Sequence, residues 1–79
     1  MMLNVGMKFE VGKSYEWNDP GLEPISVLKR TERMIKVTNS FGPWRMLIRH
    51  DIDGDEMVID SSVPEPFRGA FTCNARWEV

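Results

Sequence analysis

Turn-forming residues recur along this chain at roughly 8 to 12-residue intervals, and that spacing limits the length of everything between them. Gly12, residues 18–21, the Thr31-Glu32 pair, residues 39–43, Asp53-Gly54 and the stretch from Pro64 to Pro66 leave intervals rich in Val, Ile, Phe, Trp and Thr. Segments so short and so rich in β-branched and aromatic residues suit strands, not helices. Seventy-nine residues allow one domain, 1–79, with one modest core. Residues 1–6 are expected to be its flexible end.

Alternation places the strands. Met7, Phe9 and Val11 alternate with Lys8 and Glu10, which predicts a first strand ending at Gly12. Tyr15 and Trp17 resume the pattern before Asn18-Asp19-Pro20-Gly21, a strong turn signal. Two further strands are expected at 25–30 and 34–38, joined tightly around Thr31-Glu32. If Asp53-Gly54 forms a two-residue type I′ loop, Ile52 faces Asp55, His50 faces Met57 and Ile48 faces Ile59. Trp44, Met46, Ile48, His50, Ile52, Met57 and Ile59 then point inward, and Arg45, Leu47, Arg49, Asp51, Glu56, Val58 and Asp60 outward. Any slip of one residue would invert a strand's whole set. Residues 61–69 read as a loop or a single tight turn. Phe71, Cys73, Ala75, Trp77 and Val79 are the expected inward side of a last strand. Five to six short antiparallel strands without a helix predict an all-β fold. A small SH3-like barrel fits best, with an OB-like barrel or a strongly bent single sheet as the alternative.

Several chemistries lack their residues. The single cysteine, Cys73, rules out an internal disulfide framework and argues for a reducing, cytoplasmic setting. No stretch approaches the roughly 18 apolar residues of a membrane span, and the first residues lack a secretory pattern. Asp51-Ile52-Asp53-Gly54-Asp55-Glu56 superficially resembles a calcium loop. Its glycine falls at position 4, not 6, and Ser62 stands where a bidentate Glu is required. His50 has no second histidine or cysteine at ligand spacing, and Cys73 has no adjacent base. No phosphate-cradling, nucleotide-binding or hydrolase motif occurs. The expectation is a protein that is not an enzyme, with no metal and no cofactor.

Charge is the most informative feature. The net charge is only −2, but residues 29–50 hold six basic residues against Glu32, and residues 51–65 hold six acidic ones and no base. Arg30, Arg33, Lys36, Arg45 and Arg49, with Leu28, Met34 and Leu47 among them, are the candidate binding residues on an outer face. Arginine beside apolar side chains suits an acidic protein surface, and equally a phosphate backbone. The plain alternative is a solvated face on which Arg45 and Arg49 pair with Glu56 and Asp60. Self-association of the basic face with another copy's acidic hairpin is a further reading.

The run Phe9-x-Val11-Gly12-Lys13-x-Tyr15, then Val27-x-x-Arg30-Thr31-x-x-x-Ile35-x-Val37, then Trp44-Arg45 and Gly54-x-Glu56, resembles a loose class of short phage and mobile-element proteins. Their pattern is F-x-x-G-K-x-Y, a V-x-x-R-T segment and a short D-G-x-E turn. The resemblance covers about residues 7–60 and brings no functional residues with it. It implies a genomic setting in which many small proteins bind and modulate host or phage machinery. The leading expectation is a non-enzymatic binding module that acts by surface contact; the alternative is a nucleic-acid-binding SH3- or OB-like barrel using the basic face.

Overall fold

The computed structural model describes residues 6–59 and 71–79. These form seven antiparallel strands: β1 (Ser14–Trp17), β2 (Ile25–Arg30), β3 (Met34–Asn39), β4 (Gly42–Leu47), β5 (Arg49–His50), β6 (Glu56–Ile59) and β7 (Thr72–Glu78). They make one sheet in the order β4-β3-β2-β1-β7-β6-β5. β4 and β5 stand at opposite ends of that order, yet only Ile48 separates them in the chain. Its N–H is held by the Arg33 carbonyl at 2.7 Å, and the bend there carries the chain from one end of the sheet to the other. β4 also packs against β6. The result is a nearly closed small barrel, which leaves little open edge. Among the described residues no helix is long and apolar enough to cross a membrane.

Local chemistry explains the first half. Tyr15 and Trp17 in β1, Ile25 and Val27 in β2, and Ile35 and Val37 in β3 alternate inward and are buried. The turn at 18–21 closes through Leu22 N–H to the Asp19 carbonyl, while the Asp19 carboxylate accepts the Gly21 N–H. At the β2–β3 turn, Thr31 N–H donates to the Met34 carbonyl, and the Thr31 hydroxyl accepts the N–H groups of Arg33 and Met34. Phe9, Met46, Val58, Cys73 and Ala75 complete the core, with Leu22, Trp44, Ile48 and Phe71 packed at its margin. Phe9 meets Tyr15 edge-on, centroids 4.9 Å apart.

Four expectations need correction. Residues 7–11 form no strand: Phe9 alone is buried, and Met7 and Val11 are exposed. In the second hairpin the ladder ends at His50 opposite Glu56, with Arg49 opposite Met57, so the loop has five residues, 51–55, not two. A type I′ turn needs positive φ at both loop residues, and only Gly54 has it, at 85°. Asp51 imposes the longer loop by accepting the N–H groups of Asp53 and Asp55 on its carboxylate, at 2.9 and 3.0 Å. The shift by one residue inverts β6. Glu56 and Val58 are buried, Met57 and Ile59 half-buried, His50 exposed, and Ile52 fully exposed. In β7, Cys73 and Ala75 point inward as expected, but Asn74 is also buried, and Trp77 and Val79 are exposed. The register between β1 and β7 shifts between Tyr15 and Trp17, which breaks that alternation. The expected loop at 61–69 and Asp60 lie outside the described residues.

Candidate functional site

The acidic hairpin is occupied by the fold itself. Asp55 and Glu56 are adjacent, and both are buried. Two adjacent carboxylates can be buried only if each finds its own donors. The Arg30 guanidinium donates to both Glu56 oxygens, at 2.6 and 2.8 Å, and also to the Phe9 carbonyl at 2.7 Å. Phe9 N–H adds a bond to Glu56 at 2.8 Å. Asp55 takes two bonds from Arg76, at 2.7 and 3.0 Å, and one from Met7 N–H at 2.8 Å. Residues 6–10 are thereby strapped across the hairpin, with Glu56 N–H donating back to the Met7 carbonyl. Gly6 lies so close that a Cβ there would sit 2.0 Å from the Gly54 carbonyl oxygen.

The titration directions follow from this geometry. The Asp55 carboxyl lies below its ordinary value because Arg76 and then Met7 N–H bond its charged form. For Glu56, burial pushes upward, but the Arg30 hydrogen bonds, the Phe9 N–H and the Arg30 charge together outweigh it and lower the pKa.

Asp51, Asp53 and Asp55 bring carboxylate oxygens within 4.8 Å of one another. Asp51 already binds backbone N–H groups through one oxygen and the Asn74 amide through the other, at 2.8 Å, and Asp55 is held by Arg76. Only Asp53 is both exposed and uncommitted among these three. Asp51 and Asp55 thus belong to a folded turn and point their oxygens at N–H donors.

The basic residues behave in the opposite way. A bulge in β2 between Val27 and Lys29 adds one residue against β3. It turns Lys29 outward, opposite Lys36, and Arg30 inward, opposite the buried Ile35. Lys36 in turn lies directly opposite Arg45 on β4. Lys29, Lys36 and Arg45 therefore form a cationic row across three strands. Among the described residues no carboxylate lies within ion-pairing distance of any of them. The next cross-strand pair is Met34 opposite Leu47, 37% and 58% exposed. Lys29, Arg30, Thr31, Met34, Ile35, Lys36 and Arg45 line a concavity of about 370 Å³.

Of the five candidate residues, the sheet thus brings Lys36 and Arg45 together. Arg33 is exposed on the β2–β3 turn, and Arg49 is exposed on β5 beyond the bend at Ile48. Arg30 is the correction: the bulge reverses its side and its guanidinium clamps Glu56, so it borders the concavity as an already engaged cation. The expected pairing of Glu56 with Arg45 or Arg49 is replaced by Arg30, and Asp60 lies outside the described residues. Lys29 was missed as a site residue. Plain alternation from Val27 turns it inward, and no residue type at 28 or 29 announces the bulge.

The two potential reactive side chains differ in access. Cys73 is fully buried, and burial pushes its thiol up to about 12, so the thiolate is suppressed at neutral pH. His50 lies exposed on the two-residue strand β5. No protein-family model matches this chain, and no curated protein or solved structure does either.

Proposed function

We propose that this protein is a small, non-enzymatic binding module that docks on an acidic protein surface through the outer face of β2, β3 and β4. The observation that supports this most strongly is the row Lys29–Lys36–Arg45, three cations in direct cross-strand register with no carboxylate within ion-pairing distance among the described residues. Like charges placed directly opposite one another cost stability, so nothing in the fold calls for them. Exposed Met34 and Leu47 beside the row supply the apolar part of a protein contact. Arg33 and Arg49 extend the positive field at its margins and steer an acidic partner. The resemblance to phage and mobile-element proteins supports a host- or phage-directed role in the cytoplasm.

A nucleic-acid-binding barrel is the second reading, favoured by the same cations. Against it, no aromatic side chain among the described residues lines the concavity, which leaves no stacking platform for a single-strand binder there. Self-association through the acidic hairpin has little to work with, since Asp51, Asp55 and Glu56 are engaged within the fold.

A photo-crosslinking residue in place of Leu47 tests the reading in cells. The expected adduct is destroyed by protease, survives nuclease, and is lost when Lys36→Glu and Arg45→Glu are combined. A nuclease-sensitive adduct would favour the second reading. An adduct indifferent to the charge reversal would overturn both.

A further inference from the structure

The cationic row is compact, and that constrains what can satisfy it. Neighbouring strands lie about 4.8 Å apart, so Lys29, Lys36 and Arg45 start from backbone positions spanning roughly 10 Å. Same-face side chains of an extended acidic peptide recur about every 7 Å, twice the rise per residue, and each carboxylate brings one charge. A one-to-one match of three carboxylates to three cations at this spacing is poor. A phosphodiester also brings one charge. A phosphomonoester carries about −1.5 to −2 at neutral pH on three acceptor oxygens, which three cationic side chains can share.

The shape fits the same ligand. The row does not stand on a flat face: its three cations line one concavity of about 370 Å³ together with Thr31, Met34, Ile35 and Arg30, whose guanidinium is held by Glu56. The lysine stems and Met34 give it apolar walls against which the carbon part of a phosphorylated side chain can pack. The Thr31 hydroxyl, by contrast, is already accepting the N–H groups of Arg33 and Met34. Among the described residues no carboxylate lines the concavity, and an entering dianion relieves the repulsion among the cations.

We infer that the concavity formed by Lys29, Lys36 and Arg45 binds a phosphomonoester dianion, presented by a phosphorylated side chain of the partner protein. This rests on the acidic-surface reading above and names the group at its centre.

Amide NMR titrations of the full chain at fixed ionic strength test it, with phenyl phosphate, dimethyl phosphate and hexaglutamate as probes. Phenyl phosphate should shift the resonances of residues 29, 34–36 and 45 saturably. It should bind at least tenfold more tightly than dimethyl phosphate, and more weakly at pH 5.5 than at pH 7.5, as the second proton returns near pH 6. Lys36→Met with Arg45→Met should lower its affinity at least tenfold while the core signals of Val58 and Cys73 stay in place. Lys29→Met alone provides the milder variant, with a loss of several-fold. If hexaglutamate saturates these resonances and phenyl phosphate does not, the phosphate assignment falls and the acidic-surface reading stands. If neither probe moves them, both fall. Equal affinity for dimethyl phosphate would overturn the assignment in favour of a diester backbone.

Discussion

Asp55 and Glu56 are like charges adjacent in the chain, and Lys36 and Arg45 are like charges opposed across two strands. The first pair is buried, and each member is clasped by its own arginine and by a backbone N–H from the strap at residues 6–10. The second pair faces outward, and among the described residues it has no carboxylate partner. Sequence composition makes the two regions look symmetrical, an acidic block against a basic one. Folding engages Asp51, Asp55 and Glu56 of the acidic block and leaves Lys36 and Arg45 of the basic block without a carboxylate partner among the described residues. Charge that is engaged internally reports on stability, whereas charge left unengaged at a cost is the better guide to binding.

The largest expected effect breaks the acidic side. Glu56→Ala leaves the Arg30 guanidinium and the Phe9 N–H without their partner, while the Arg30 side chain is only 21% exposed. Because Arg30 keeps some access to water, the loss should be about 2–4 kcal/mol, below the full cost of orphaning a buried charge. That is a large share of the few kcal/mol available to a chain of this size. Urea unfolding should show the midpoint falling by half or more, and Glu56→Gln should lose less, since one acceptor oxygen remains.

Acid sharpens the same comparison. Asp55 and Glu56 have folded-state pKa values below their ordinary 3.8 and 4.5, so they bind fewer protons folded than unfolded. Their stabilisation is complete above those ordinary values and is lost as pH falls through the lower folded values. Thermal melts between pH 7 and pH 2 should therefore hold until about pH 4.5 and then decline. Glu56→Gln should flatten the decline, and a melting temperature that rises on acidification would contradict the buried pairs.

Removing positive charge should act in the opposite direction and more weakly. Lys36→Thr takes one member from a directly opposed like-charge pair and places a β-branched residue in a strand. A gain of about 0.2–1 kcal/mol is expected, and it should shrink at high salt. The smallest effect is none. Millimolar calcium or magnesium should leave the melting temperature unchanged, because Asp51 and Asp55 are already engaged by N–H donors. A rise of several degrees that disappears in Asp51→Asn would show a real metal site.

These regions also differ in how far the sequence reveals them. β1, β3 and the first half of β2, with their turns, follow from local alternation and from Asp19 and Thr31 chemistry, all within a few residues. Met46 and Ile48 likewise point or pack inward as their pattern predicts. The 51–55 loop defeats the dipeptide rule because Asp51, two residues before Asp53, captures the turn with its side chain. Arg30 and Arg76 find Glu56 and Asp55 across 26 and 21 residues, a distance over which periodicity carries no signal. The basic face was visible as a charge block. Its true membership depended on one bulge, which exchanged Arg30 for Lys29.

The central claim is that the cationic row serves contact and not folding, and equilibrium urea unfolding of Lys36→Met combined with Arg45→Met tests it most directly. The midpoint should equal or exceed that of the unmodified chain, with an unchanged denaturant slope. A midpoint lowered by more than about 1 kcal/mol equivalent would contradict it, because a loss that large at outward-facing positions points to interactions the fold depends on.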